Sequence, residues 1–448
     1  MDLLFEINKI INNFVWGLPM VILLTFTGIF LSIGLSFMPW REFGNAIKIT
    51  FGRDSNKSDK GSIAPRKALF TALSATVGTG NIAGVATAIY IGGPGSLFYM
   101  WLIALFGMAT KYTEVFLAVK YRERNEDGQW VGGPMYYLSK GVNEKLPGVG
   151  KILAFAFAVF GSLAAFGTGS GVQINSITNA LNSTFGISYT TTGVIIALFA
   201  GMAIIGGIKR ISEVASKLVP TMVILYLISC LYVLVIFAEN IPNAFVMIFN
   251  EAFGINSVAG GAVGTAILMG FKRGIFSNEA GLGSAPIAHA AAKTDNPSRQ
   301  GMIAMIGVFI DTIVVCTFTG LVILVSGIYQ PGNEINGATL TTKSFLAAFD
   351  GGDVLVSISL TLFAFTTILG WSYYGEKCFE YLTKNKFAQH AYRLCFVGSI
   401  YFFATLSLEQ VWAIADTFNG LMIVPNLIGL LILSPLVFKL TKELKSKV

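Results

Sequence analysis

The chain has 448 residues, 54% hydrophobic and 13% aromatic but only 12% charged, with a mean hydropathy of +0.68. A soluble domain carries about twice that charged fraction, so composition excludes an ordinary soluble enzyme or binding module and points to a polytopic α-helical membrane protein embedded in a lipid bilayer. The net charge of +7 would suit a nucleic-acid partner, but its placement along the chain argues for no nucleic acid.

Taken in order, eleven stretches are long and apolar enough to be read as membrane-crossing helices: 14–38, 68–90, 95–119, 151–178, 190–208, 217–237, 258–286, 300–327, 354–376, 392–408 and 415–437. The first is too long for a signal-peptide core and has no basic region before it, so it counts as a span. With these spans, 26 of the 31 Lys and Arg fall in connections on one side and two, Lys9 and Lys343, on the other. By the positive-inside rule this puts the N-terminus outside and the C-terminus in the cytoplasm of a cell (plasma or inner) membrane. Cys230, Cys316, Cys378 and Cys395 form no CxxC, so neither a transition-metal site nor a disulfide framework is suggested.

The second span is broken in its middle. Gly78-Thr79-Gly80-Asn81 is a poor helix centre, since Gly costs about 1 kcal/mol there relative to Ala. At membrane depth, unwound backbone survives only where it lines a cavity or is buried in protein. Setting the first span aside leaves ten, or five plus five. At an offset of five, the partner of the broken span is 258–286, which carries Met269-Gly270-Phe271-Lys272-Arg273-Gly274-Ile275-Phe276-Ser277-Asn278-Glu279-Ala280-Gly281. An odd offset makes the two run in opposite directions, and paired broken helices in inverted halves mark the binding site of a secondary transporter. The expected architecture is therefore all-α, with eleven transmembrane helices and two discontinuous ones. It comprises an extra N-terminal helix (1–40), a cytoplasmic loop (41–67), a first repeat of five helices (68–237), an external connection (238–257), a second repeat (258–437) and a cytoplasmic tail (438–448). Within the loop, Ile47–Phe51 reads as a short surface helix and 54–61 as a polar run; the segment 328–353 reads as an outer lid.

Gly92-Gly93-Pro94-Gly95-Ser96-Leu97-Phe98-Tyr99-Met100-Trp101-Leu102 and the run Gly107–Glu114 resemble the signature of the alanine or glycine:cation symporter family. So do Val131-Gly132-Gly133-Pro134-Met135-Tyr136-Tyr137, the run Lys272–Gly281 and Lys293-Thr294-Asp295-Asn296-Pro297. The resemblance implies the leucine-transporter-type fold and sodium-driven uptake of small neutral amino acids, chiefly alanine and glycine, with Na+ as the coupling ion. No obligate protein partner is evident.

An amino acid held in mid-bilayer needs partners for a carboxylate, an ammonium and a small side chain. Freed amides at a half-helix start, those of Thr79 and Gly80, suit the carboxylate. Close helix packing by small residues is the plain alternative, but this cluster is more polar than packing requires. By likeness to the fold, the Asn81 side chain and the Thr76 carbonyl are candidates for one sodium. Thr366 and Thr367, facing backbone near Ser74 and Val77, are candidates for a second. Threonines bonding back to their own helix are the alternative there. Phe271, Phe276 and Trp371 are expected to enclose a small side chain, and the carbonyls of the second break or Asn278 to accept the ammonium. In the run Phe166–Gln173, Gly167 and Gln173 are further candidates, with Gln173 as readily a link between helices as a substrate contact.

Ionisable groups in the membrane are functional hypotheses until paired. Lys111 and Glu114 read as a structural pair near the cytoplasmic edge. Asp311 reads as the counter-charge of Lys272 or Arg273, or as a proton carrier, and Glu279 as a further titrating candidate. His289 and His390 are expected to be solvated or capping. A proton-coupled or exchange carrier of the same fold is the runner-up. An intramembrane enzyme is the remote alternative, since no HExxH, Gly-x-Ser-x-Gly or paired-aspartate motif stands in a span. A channel would need a repeated filter or pore ring.

Overall fold

The computed structural model describes residues 2–52, 60–254, 260–332 and 335–444. The polar run at 54–59, the start of the expected seventh span at 258–259 and the tail end at 445–448 lie outside the described residues. The chain is built from helices, with one two-stranded antiparallel ribbon, Glu123–Arg124 on Trp130–Val131, among the described residues.

Polarity is distributed as lipid demands. Large apolar side chains face outward, among them Phe14 (82% exposed), Ile205 (81%) and Leu394 (74%), while Asn81, Glu114, Gln173 and Asp311 are buried. In water this would be an inverted protein; in a bilayer the apolar rim meets acyl chains and polar groups must find partners inside. Seven helices among the described residues are long and apolar enough to cross a membrane, eight with one bent pair counted as a span. The expected spans at 190–208, 258–286 and 392–408 do coincide with helices, Tyr189–Ile204, Gly260–Asn278 and Lys386–Phe403. These three fall below that length or hydropathy, so the count of eleven is not reached by this measure.

The first break separates α1 (Pro65–Thr76) from α2 (Val85–Gly92), whose axes differ by 50°. Val77 leaves the helical region (φ −75°, ψ 91°), and a π-helical turn, Gly80–Gly84, leads into α2. The second break follows α3 (Gly260–Asn278). Glu279 (φ 56°), Gly281 (φ 93°) and Gly283 (φ 84°) adopt left-handed backbone before the short helix α4 (Ala285–His289). For Glu279 that conformation costs about 1–2 kcal/mol, and it is held by neighbours described below. α3 packs on α2 and on the Gly80–Gly84 turn, so the two broken spans meet at their interruptions.

Two further π-helical turns occur at the same level: Ala165–Gly171, ahead of the helix Val172–Phe185, and Phe309–Cys316, between Pro297–Val308 and Thr317–Val325. Such turns free carbonyls and re-aim side chains, and they gather at functional sites. The expected surface helix at Ile47–Phe51 lies within Phe43–Phe51. The outer segment contains the helix Gly337–Leu346, whose Thr341 hydroxyl donates to the Ile82 carbonyl at 3.1 Å.

Candidate functional site

The first break is held by side chains from other spans. Asn81 Oδ1 accepts from the Gly78 amide at 2.9 Å, closing the irregular turn on itself. The Asn81 amide nitrogen donates to Asp311 Oδ1 at 2.8 Å and to the Asp311 carbonyl at 3.1 Å. Gln173 Oε1 accepts from the Thr79 hydroxyl at 2.8 Å and the Thr79 amide at 3.3 Å, while Gln173 Nε2 donates to the Thr168 carbonyl at 3.0 Å. Gln173 thus links the freed backbone of one π-helical region to that of another.

Asp311 is at the centre. Besides Asn81, it accepts from the Ser277 hydroxyl at 2.7 Å and the Thr312 hydroxyl at 2.8 Å, and it is fully buried. All of these donors are neutral. Lys272 and Arg273 do not neutralise it, contrary to the sequence expectation. They reach Asp416 instead, at 2.8 Å (Nζ to Oδ2) and 3.4 Å (Nη1 to Oδ1). Among the described residues Asp311 has no cation within ion-pair distance. An isolated buried carboxylate is costly, and this one touches Asn81 of the first broken span and Ser277 of the second.

The two threonines diverge because neighbours on a helix point about 100° apart. Thr367 sits on the face that meets the first break, where even a methyl group on Gly78 would collide with its hydroxyl. Thr366 turns to Met222 Sδ on the helix Gly207–Ile236, at 3.6 Å. Both hydroxyls also bond the Phe363 carbonyl, at 3.1 and 3.0 Å. Ser74 and Thr76 likewise bond back within α1, leaving the Val77–Thr79 backbone as the irregular surface.

The second break is braced by charge. Glu114 Oε1 accepts from the amides of Gly281 (3.1 Å) and Gly283 (3.0 Å) and from Asn426 Nδ2 (2.7 Å). Lys111 Nζ donates to the Glu279 carbonyl at 2.9 Å and lies 3.9 Å from Glu114. The expected Lys111–Glu114 pair therefore exists, but it supports the break instead of sitting at an edge. The Asn278 side chain has local partners: its oxygen accepts from the Ala280 amide (2.9 Å) and its nitrogen donates to Thr312 (3.1 Å).

Above the breaks lies a cavity of about 460 Å³ lined by Ala83, Thr87, Asn175, Asn336, Thr339 and Trp412 among others. Trp412 packs on Phe276 with ring centroids 4.5 Å apart, and the Arg273 guanidinium lies over the Trp412 ring, 4.0 Å from its centroid. Gly80 is pressed against Phe276 and Ser277. Phe276, expected to help enclose the substrate side chain, packs between Gly80 and Trp412 and does not itself line the cavity. Phe271 faces Tyr99 instead (centroids 6.5 Å apart), Gly167 lies against the backbone at Ala415, and Trp371 is fully buried between Gly169 and Glu279. None of those three lines the cavity. His289 is buried, with Nδ1 2.7 Å from Gln300 Nε2, which corrects the solvated reading; His390 is exposed as expected.

Trp412, Asp416 and Thr312 belong to this arrangement and escape the sequence reading. Asp416 had a signal, an acid inside the apolar stretch 415–437, subject to the same rule as Asp311. Trp412 falls in the gap between two apolar stretches and gave none.

The chain is similar in sequence and fold to known proteins. A model of the sodium:alanine symporter family matches residues 1–448. The sodium/alanine symporter AgcS of Methanococcus maripaludis is 50% identical over 444 residues, covering 99% of this chain and 97% of its own. A Bacillus subtilis protein named as a probable sodium/glutamine symporter, GlnT, is 37% identical over 446 residues, covering 99% and 91%. Among solved structures, that of MhsT in complex with L-phenylalanine superposes with a TM-score of 0.59 at 14% identity, covering 87% of this chain and 99% of that one. At that identity the likeness concerns the fold, which is of the leucine-transporter type.

Proposed function

Because the chain belongs to the sodium:alanine symporter family over residues 1–448, we propose that it carries a small neutral amino acid, alanine or glycine, into the cell together with sodium. The protein is a multi-pass membrane transporter and not an enzyme, as its family and relatives are. The observation that carries the sodium reading is Asp311: a fully buried carboxylate, met only by neutral donors, between Asn81 and Ser277. Carboxylate, hydroxyl and amide oxygens form the donor set of a hard cation. A sodium ion among Asp311, Asn81, Ser277 and Thr312 would supply the missing positive charge, with the Thr76 carbonyl close by in the chain. Thr367 and the backbone at Ser74 and Val77 make the second candidate position, with Thr366 in a supporting place.

The amino acid's carboxylate rests on the freed amides of Thr79 and Gly80, its ammonium on carbonyls of the second break. Phe276 and Trp412 form the lid between this site and the cavity. The distribution of basic residues supports an N-terminus outside and a C-terminus in the cytoplasm of the cell membrane. In that orientation the cavity opens outward and the end holding Pro65 is sealed.

The test is alanine uptake by purified protein in liposomes, with sodium replaced by potassium or choline at fixed pH. Uptake lost without sodium and indifferent to a pH gradient is the expected result. Uptake that ignores sodium and follows the pH gradient would overturn the assignment of Asp311 to a sodium ion.

A further inference from the structure

We propose that Arg122 is the clasp of the inner gate, a positioning residue that holds the sealed end of the transporter shut until sodium and substrate have bound from the other side. The inference rests on the transport reading, because only a carrier that opens alternately at its two ends must break contacts here. The cavity lies beyond the first break on the α2 side, lined by Ala83 and Thr87. Release to the other side therefore has to part the segments at the start of α1.

Those segments are joined by backbone. Ile63, just before α1, pairs in parallel with Ala292, just after α4. The Ser62 amide donates to the Ala291 carbonyl at 2.8 Å, the Lys293 amide to Ile63 at 2.7 Å and the Thr294 amide to Lys60 at 3.0 Å. The entry to one broken span is thereby tied to the exit of the other. So short a ladder, with no neighbouring strand among the described residues, frays easily by itself.

Arg122 crosses it. The residue ends the helix Gly95–Tyr121, which belongs to neither joined segment, and its side chain is 5% exposed. Nη1 donates to the carbonyls of Ala290 (3.0 Å) and Ala292 (2.6 Å). Nη2 donates to Lys60 (2.9 Å) and to Thr294. The guanidinium lies 4.7 Å from the centre of the Trp130 ring, and Asp295 is 3.9 Å away. One rigid, planar cation thus holds carbonyls from both sides of the seam. Its bonds are charge-assisted and stronger than those of the ladder, and a lysine ammonium, a single point of charge, cannot span the same set. Gly61, at φ 154°, lets the ladder close: a methyl group there would run into the backbone of Ala292 and Lys293.

The experiment uses the full-length protein with a cysteine reporter, Ile63→Cys, in a Cys395→Ser background that removes the exposed native thiol. Labelling by a bulky impermeant maleimide is followed with and without sodium. With Arg122 in place, sodium slows labelling. Arg122→Ala speeds it at least about tenfold and abolishes the sodium effect, as expected when the open state passes from rare to common; Arg122→Lys falls between. A purely structural role would lower the thermal midpoint and leave the sodium effect on labelling in place. Gly61→Ala, which pushes on the Ala292 carbonyl shared by the ladder and Arg122, gives the same acceleration and decides the matter if Arg122→Ala does not fold. Wild-type labelling rates in Gly61→Ala, or in a folded Arg122→Ala, would overturn the proposal. Basal labelling needs neither alanine nor sodium, so the clasp and the sodium–alanine reading can fail independently.

Discussion

The side-chain amide of Asn81 donates to the Asp311 carboxylate at 2.8 Å, joining residues 230 positions apart in the chain. Asn81 also closes the turn at Gly78, so the group that shapes the first break is the same one that touches the buried charge. Whatever neutralises Asp311 is thereby coupled to the shape of the backbone that would receive a substrate carboxylate.

Asp311→Asn keeps the shape and removes the charge. The sodium concentration for half-maximal alanine binding should rise at least about tenfold, equivalent to about 1.4 kcal/mol, with little change in thermal midpoint, because Ser277 and Thr312 hydroxyls can also accept. Equilibrium alanine binding across a sodium titration reads this directly. An unchanged titration would remove Asp311 from the ion site.

Asn81→Ala should act on both ligands. It strips the Gly78 amide of its acceptor and Asp311 of a donor, each worth about 1–3 kcal/mol when left buried. Weaker alanine binding and a higher sodium requirement are expected in the same binding measurement.

The threonines should separate. Thr367→Ala reduces sodium dependence of uptake because its hydroxyl faces Gly78, whereas Thr366→Ala, turned to Met222, leaves it within about twofold of the parent. Equal effects of the two substitutions would argue against the second ion position.

Asp416→Asn leaves Lys272 and Arg273 without their shared partner. Removing one side of a buried ion pair costs about 3–5 kcal/mol, less here because Lys272 keeps 14% exposure and a bond to Asn12. A lower thermal midpoint is expected, partly restored by adding Lys272→Met. A double variant no more stable than the single would show that the charges are solvated.

Much of this was legible in the sequence. Gly78 and Gly80 around Thr79, and the Gly-interrupted run ending at Gly281, reveal the two breaks because helix propensity and membrane depth conflict there. Asp311 and Gln173 stand out as polar groups in apolar stretches. What the sequence conceals is partnership. Nothing in the local pattern says that Asp416, 143 residues from Arg273, takes the cations that seemed to belong to Asp311. Nor does it say that Phe271 turns to Tyr99 while Phe276 turns to Trp412. Adjacent residues such as Thr366 and Thr367 look alike in one dimension, and only the helix phase separates them. The π-helical turns at Ala165–Gly171 and Phe309–Cys316, which shift the helix phase within their own spans, leave little trace in composition.

The two interruptions also differ in stiffness. The turn after Asn278 is nailed to the helix Gly95–Tyr121 by an ammonium and a carboxylate, with Lys111 on the Glu279 carbonyl and Glu114 on two glycine amides. The turn at Gly78 leans on neutral amides and hydroxyls and, through Asn81, on the Asp311 carboxylate. By these contacts the second joint is the more firmly braced of the two. On the proposed sodium reading, the ion-sensitive chemistry sits at the less firmly braced joint.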